Sequence, residues 1–154
     1  MCLMCKDEPV VRHTTKERVF YKILAIGIKM PLGESNLYTP FMSLNVTIGK
    51  SYCQNNADTF HYVKDYQYNQ FNEKTLRGYT IENGGYHLYK RKKDADDLCD
   101  YLNNKYKTNK HTFNDYFVVK AIVPKGTAYV SGEFRNAKCV IVKKVRYEYI
   151  DEEI

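Results

Sequence analysis

The chain predicts an α+β fold: a curved, mostly antiparallel sheet with one principal helix packed on a face. Three observations carry this expectation. Extended runs outnumber helical ones, neighbouring runs are joined by short turns, and only the segment after Asp94 has the three-and-four spacing of an amphipathic helix. The 154 residues suit a single domain. A chain of that length buries about two thirds of the surface its unfolded form exposes, so a core needs neither disulfides nor metal.

Taken in order, residues 1–16 are polar without a period and read as a partly ordered leader ahead of one domain spanning residues 17–150. Residues 18–26 form the first strand, and Phe20-Tyr21-Lys22-Ile23-Leu24-Ala25-Ile26 is too apolar for a half-solvated one, which makes it central. Pro31 and Gly33 place a loop at residues 30–36. Short extended pieces follow at 37–39 and 41–48, with Leu44, Val46 and Ile48 on one face. Residues 52–83, rich in Tyr and without a clean period, are expected to hold short strands, a hairpin or a flap.

From Gly84 the pattern sharpens. Gly84-Gly85 opens the short strand Tyr86-His87-Leu88-Tyr89, and the basic run Lys90-Arg91-Lys92-Lys93 leads into the helix. Asp94 caps its first turn, Asp96 and Asp97 suit the positive end of the dipole, and Ala95, Leu98, Cys99, Leu102 and Tyr106 form one stripe. Residues 108–114 read as a polar connection. Residues 115–123 are a second central strand, and Pro124-Lys125-Gly126-Thr127 is a turn. A short strand at 128–130, a second turn at Ser131-Gly132 and a long ribbon at 138–149 complete the sheet. In that ribbon Cys139, Ile141, Val145, Tyr147 and Tyr149 are expected to face one way.

Composition bounds the function. The longest apolar run, near residues 19–28, is about half the roughly twenty residues a membrane span needs. The first residues lack the basic-then-apolar order of a signal peptide. A cytoplasmic protein is expected, with its five cysteines as free thiols. The net charge of +6 suits an anionic partner such as a nucleotide or nucleic acid. An A/T-rich gene would enrich Lys, Asn, Tyr and Ile in the same way.

No catalytic signature stands out. Cys2 and Cys5 have the spacing of a metal knuckle, but no second close pair completes a zinc site, and thiols in a flexible leader are the plainer reading. His87, beside its glycine turn, has the chemistry of a base or a phosphate ligand, though a sheet histidine is the commoner outcome. The basic run would converge on an anion at the helix start, against the repulsion of Asp94, Asp96 and Asp97. Ser131-Gly132-Glu133-Phe134-Arg135 sets a carboxylate and a guanidinium on a loop. Gly49-Lys50-Ser51 imitates only the tail of a phosphate-binding loop.

The segments Gly84-Gly85-Tyr86-His87-Leu88-Tyr89 and Val119-Lys120-Ala121-Ile122-Val123-Pro124-Lys125-Gly126-Thr127-Ala128-Tyr129-Val130-Ser131-Gly132, with the acidic-capped helix between them, resemble small uncharacterised proteins of tailed bacteriophages and their bacterial hosts. Phe20-Tyr21-Lys22-Ile23-Leu24 and Leu37-Tyr38-Thr39-Pro40-Phe41 look like the first half of such proteins. The resemblance implies a phage-type accessory protein in the host cytoplasm, with anti-defence one such role, and brings no catalytic residues.

The expected function is non-catalytic binding of a nucleotide, a nucleic acid or a host protein, with no cofactor, no metal and no membrane; a homo-oligomer stays open. His87, Lys90, Arg91, Lys92, Tyr129 and Arg135 are the candidate ligand-binding residues. The alternatives are a small nucleotide-directed enzyme resembling ADP-ribosyl transferases, built on His87, a Tyr and Glu133, or a structural component of the virion.

Overall fold

The computed structural model describes residues 3–27, 37–40, 44–54, 59–105 and 113–150. The loop expected at residues 30–36, most of the connection expected at 108–114, Cys2 and Tyr106 lie outside them. Within them the chain runs β1 (Leu3–Cys5), β2 (Arg12–His13), β3 (Arg18–Gly27), β4 (Leu37–Tyr38), β5 (Asn45–Val46), β6 (Ser51–Cys53), β7 (His61–Tyr68), β8 (Lys74–Asn83) and β9 (Tyr86–Tyr89). Then come α1 (Lys92–Lys105), β10 (Phe113–Val123), β11 (Ala128–Phe134), β12 (Ala137–Val142) and β13 (Lys144–Glu148). The strands form one curved antiparallel sheet in the order β6-β13-β10-β3-β9-β12-β11-β1-β8-β7. With α1 this is an α+β architecture.

β3 lies between β9 and β10, and its longest pairing runs from Val123↔Arg18 to Phe113↔Gly27. Ile23, Leu24 and Ala25 are at most 1% exposed, so β3 is covered on both faces, which is why it reads as one apolar run. The two faces feed two clusters. Ile23, Ala25, Tyr89, Tyr116, Cys139 and Ile141 join Ala95, Cys99 and Leu102 of α1 in the first. Phe20, Leu24, Leu88, Val119, Val140, Val142, Val145 and Tyr147 form the second, with Leu37 and Val46 from β4 and β5. Leu44 does not share the face of Val46; it is 54% exposed.

β12 and β13 are a single ribbon broken only by Lys143, yet they occupy places four apart in the strand order. β12 pairs with β9 and β13 with β10, which bends the sheet round on itself. The bend changes the ribbon's faces. Cys139 and Ile141 enter the first cluster while Val145 and Tyr147 enter the second, so these residues do not all face one way as the alternation suggested. Lys143 holds the corner: its amide donates to Ala128 O at 3.1 Å, and its buried Nζ donates to Thr59 O and lies 4.3 Å from the Phe60 ring centre.

Two short pieces of the expected leader, β1 and β2, pair into the sheet. β1 lies between β8 and β11, and Leu3 is fully buried. Two glycines make the slot. A Cβ on Gly132 would lie 2.8 Å from Met4 O, and one on Gly78 would lie 2.6 Å from Cys5 O. Ser131-Gly132 is therefore mid-strand, not a turn; the chain reverses at Arg135 and Asn136, with φ of 50° and 67°. Thr14, also from the expected leader, is buried against the 124–127 turn. Its Oγ1 donates to Pro124 O at 2.7 Å and accepts from the Thr127 amide at 3.0 Å.

Residues 52–83, hardest to read, supply β7 and all of β8, paired from His61↔Asn83 to Tyr68↔Lys74. Asn69 makes their reversal: its Oδ1 accepts from the Phe71 and Glu73 amides at 2.8 and 3.0 Å.

Candidate anion-binding site

The β11–β12 hairpin positions the site. Successive cross-strand pairs point to opposite sides of it, so Glu133↔Lys138 faces one way and Phe134↔Ala137 the other. On the Glu133 side is a groove of about 780 Å³, bounded by β1, the chain after it, β8 and the end of β9. Its walls carry the cations Lys6, Arg12, Arg77, Lys90, Arg135 and Lys138 against the carboxylates Asp7, Glu8 and Glu133.

Among the described residues, only Arg77 of those six cations forms an ion pair, to Asp65 at 2.6 Å. Glu8 accepts the Tyr62 hydroxyl at 2.7 Å, which reduces its availability to the groove. Lys90 and Lys138 are held together by pairing of β9 with β12, extended by the Lys90 amide donating to Lys138 O at 3.0 Å. Partial burial, then the charges of Lys138 and Arg18, lowers the Lys90 pKa. A bound anion would offset that repulsion.

The candidate residues separate accordingly. Lys90 and Arg135 meet in the groove. Arg91 and Lys92 are held by acids of α1 instead: Arg91 Nε lies 3.0 Å from Asp94 and Lys92 Nζ 2.9 Å from Asp96. Neighbouring helical turns thus neutralise half of the basic run. Tyr129 is half-buried against the second cluster and does not line the groove.

His87 lies on β9 opposite Ile141, with Nδ1 buried and without a hydrogen-bond partner among the described residues. Burial, then the charge of Lys22, lowers its pKa to about 3. β3 and β9 share one pairing, Tyr21↔Tyr89, and beyond it Lys22 Nζ donates to His87 O at 2.9 Å. Desolvation lowers the Lys22 pKa to about 8. His87 shares a face with Ile141 and Val130, while Glu133 lies an odd number of residues along β11 and so on the other face. The constellation of His87 with Glu133 is not assembled.

Arg12, Lys6 and Lys138 were missed. Lys138 reaches the site through β9–β12 pairing and Arg12 through β2–β11 pairing, neither of which has a local sequence signal. The cysteines add no chemistry here. Cys5 donates Sγ–H to Ser131 O at 3.1 Å, and burial raises the Cys99 and Cys139 thiols to about 11 and about 12. Cys5, Cys53, Cys99 and Cys139 are free, and among the described residues no group of His, Cys, Asp and Glu is arranged to hold a metal. Nor, among them, is any helix long and apolar enough to cross a membrane.

On the Phe134 side is a smaller pocket of about 380 Å³. Tyr89, Leu98, Tyr101, Phe134 and Ala137 give it apolar walls, and Asp94 and Asp97 line it with carboxylates. Arg135 and Asn136 line both cavities.

Comparison with family models, curated proteins and solved structures gives no match.

Proposed function

We propose that this protein binds an anionic ligand, a nucleotide or nucleic acid, in the groove and without catalysis, as a phage-type accessory protein of the host cytoplasm. The supporting observation is the charge state of the groove: Lys6, Arg12, Lys90, Arg135 and Lys138 converge there with no ion-pair partner among the described residues. Uncompensated cations in a concave wall raise the local concentration of anions and shorten the search for them. The groove volume also lies within the range of small-molecule sites. In this reading α1 packs on the opposite face of the sheet through Ala95, Cys99 and Leu102, and leaves the groove open. A host protein would have to present an acidic protrusion to reach the same cations, which makes a small anion the better fit.

The test is fluorescence anisotropy of labelled nucleotides and of a short labelled oligonucleotide, at low and high salt. Binding is expected to weaken steeply with salt. It should be lost when Arg12, Lys90, Arg135 and Lys138 are all replaced by Ala. Equal binding by that variant would sink the reading.

A further inference from the structure

The smaller pocket is chemically the opposite of the groove. Its walls are largely aromatic and its titratable groups are Asp94, Asp97 and the phenols of Tyr89 and Tyr101, with Arg135 the one cation among the lining residues. Asp94 is engaged by Arg91, whereas Asp97 forms no ion pair among the described residues. A phosphate would be repelled there. A flat aromatic group carrying N–H donors would not, since it would stack on Tyr101 or Phe134 and donate to the carboxylate.

Two further observations point to a ligand. Tyr101 is 49% exposed although it lines the pocket, and Tyr89, only 3% exposed, has a hydroxyl with no hydrogen-bond partner among the described residues. Buried hydroxyls are almost always satisfied, which makes Tyr89 an exception in the wall of this pocket.

The hairpin tip joins the two cavities. Phe134↔Ala137 faces the pocket, Glu133↔Lys138 faces the groove, and Arg135-Asn136 turns between them and lines both. A molecule with an aromatic head and an anionic tail would pass round this tip with its direction fixed by charge. We infer that pocket and groove together bind one guanine nucleotide, the base against Tyr101 and Phe134 and the phosphates among Lys90, Arg135 and Lys138. Guanine presents adjacent N–H donors that suit Asp97, whereas uracil presents one N–H between two carbonyl acceptors. This inference rests on the groove being the anion site.

Calorimetric titration with GDP, UDP and inorganic pyrophosphate tests it. GDP is expected to bind at least about tenfold more tightly than either UDP or pyrophosphate. Tyr101→Ala, at a half-exposed position, should remove the advantage of GDP over pyrophosphate and leave pyrophosphate binding unchanged. Asp97→Asn should narrow the gap between GDP and UDP. Lys138→Ala should weaken GDP and pyrophosphate alike. Equal affinity for GDP and pyrophosphate, indifferent to Tyr101→Ala, would overturn the inference and leave the groove reading standing. GDP binding that ignores Lys138→Ala would overturn the shared ligand. Failure of both GDP and pyrophosphate to bind would overturn the groove reading with it.

Discussion

The β3–β10 pair and the β7–β8 pair are the two most extended pairings of the molecule, and their surroundings are opposite. On β3, Ile23, Leu24 and Ala25 are essentially inaccessible, whereas on β7 the first four residues are all exposed. Val63 is 46% exposed, Tyr68 60%, and Phe71 at the tip 71%. A two-stranded ribbon with little covering it is marginal alone, so β7–β8 depends on the second half of β8, where Ile81 is buried beside Leu3 of β1. Equal backbone pairing therefore does not imply equal stability. Burial on both faces makes β3–β10 the mechanical centre, and β7–β8 an appended arm.

The largest effect expected is at the centre. Leu24→Ala should cost about 3–4 kcal/mol, by lost transfer energy plus an unfilled cavity. Val63→Ala on the arm should stay within about 0.5 kcal/mol. Urea unfolding of the two variants checks this, and comparable losses would erase the distinction between centre and arm.

The next effect is electrostatic and belongs to β9, the strand beside β3. The folded-state pKa of His87 is lowered to about 3, mainly by burial, from an unfolded value of 6.5. Between those values the unfolded chain holds the proton and the folded one does not. Stability should thus be intact above pH 6.5 and fall with pH toward 3. The loss by pH 4 is about 2 kcal/mol, after a discount for partial solvent access. A His87→Gln variant measured at pH 7 and pH 4 should show a correspondingly smaller drop. An unchanged pH profile would mean that His87 is not the group being titrated.

How far the sequence announces these regions follows from the same contrast. β3 and β10 were legible because burial on both faces forces a nearly unbroken apolar run. The arm was not, since exposed tyrosines and polar residues carry no period, and its reversal depends on the side chain of Asn69. β1 was hidden for another reason: three residues acquire an interior environment only through glycines distant in sequence, Gly78 and Gly132. Gly132 marks a close approach of two backbones, not the chain reversal that its residue type suggests. The face change at Lys143 was equally silent, because it is set by the different partners of β12 and β13. For the site, Lys90 and Arg135 stood out as charges, but only strand pairing shows that Lys138 and Arg12 join them, while Arg91 and Lys92 turn to the helix acids.

That slot gives the third effect, at the junction of centre and arm. Gly132→Ala would press a Cβ to 2.8 Å from Met4 O and 2.9 Å from Leu3 Cδ2, so β1 must shift. The expected loss is about 1–3 kcal/mol, as for other overpacked sites. Hydrogen exchange should report faster exchange in residues 3–5 and 79–81, with β3 and β10 unchanged. Uniform acceleration across the sheet would show instead that β1 is integral to the centre.

The smallest effect comes from the arm where it borders the groove. Arg77 lies there with its guanidinium 2.6 Å from Asp65, and the two side chains keep 56% and 25% of their exposure. An ion pair that open to water contributes no more than about 1 kcal/mol, so Arg77→Ala should barely change stability. Its effect on ligand affinity should also be smaller than that of Lys138→Ala, because Arg77 is paired with Asp65 and Lys138 has no ion pair among the described residues. Both variants titrated with pyrophosphate at one ionic strength give the ranking. If Arg77→Ala were the more damaging, the anion would sit nearer the arm, and the hairpin tip at Arg135 would lose its place at the centre of the groove.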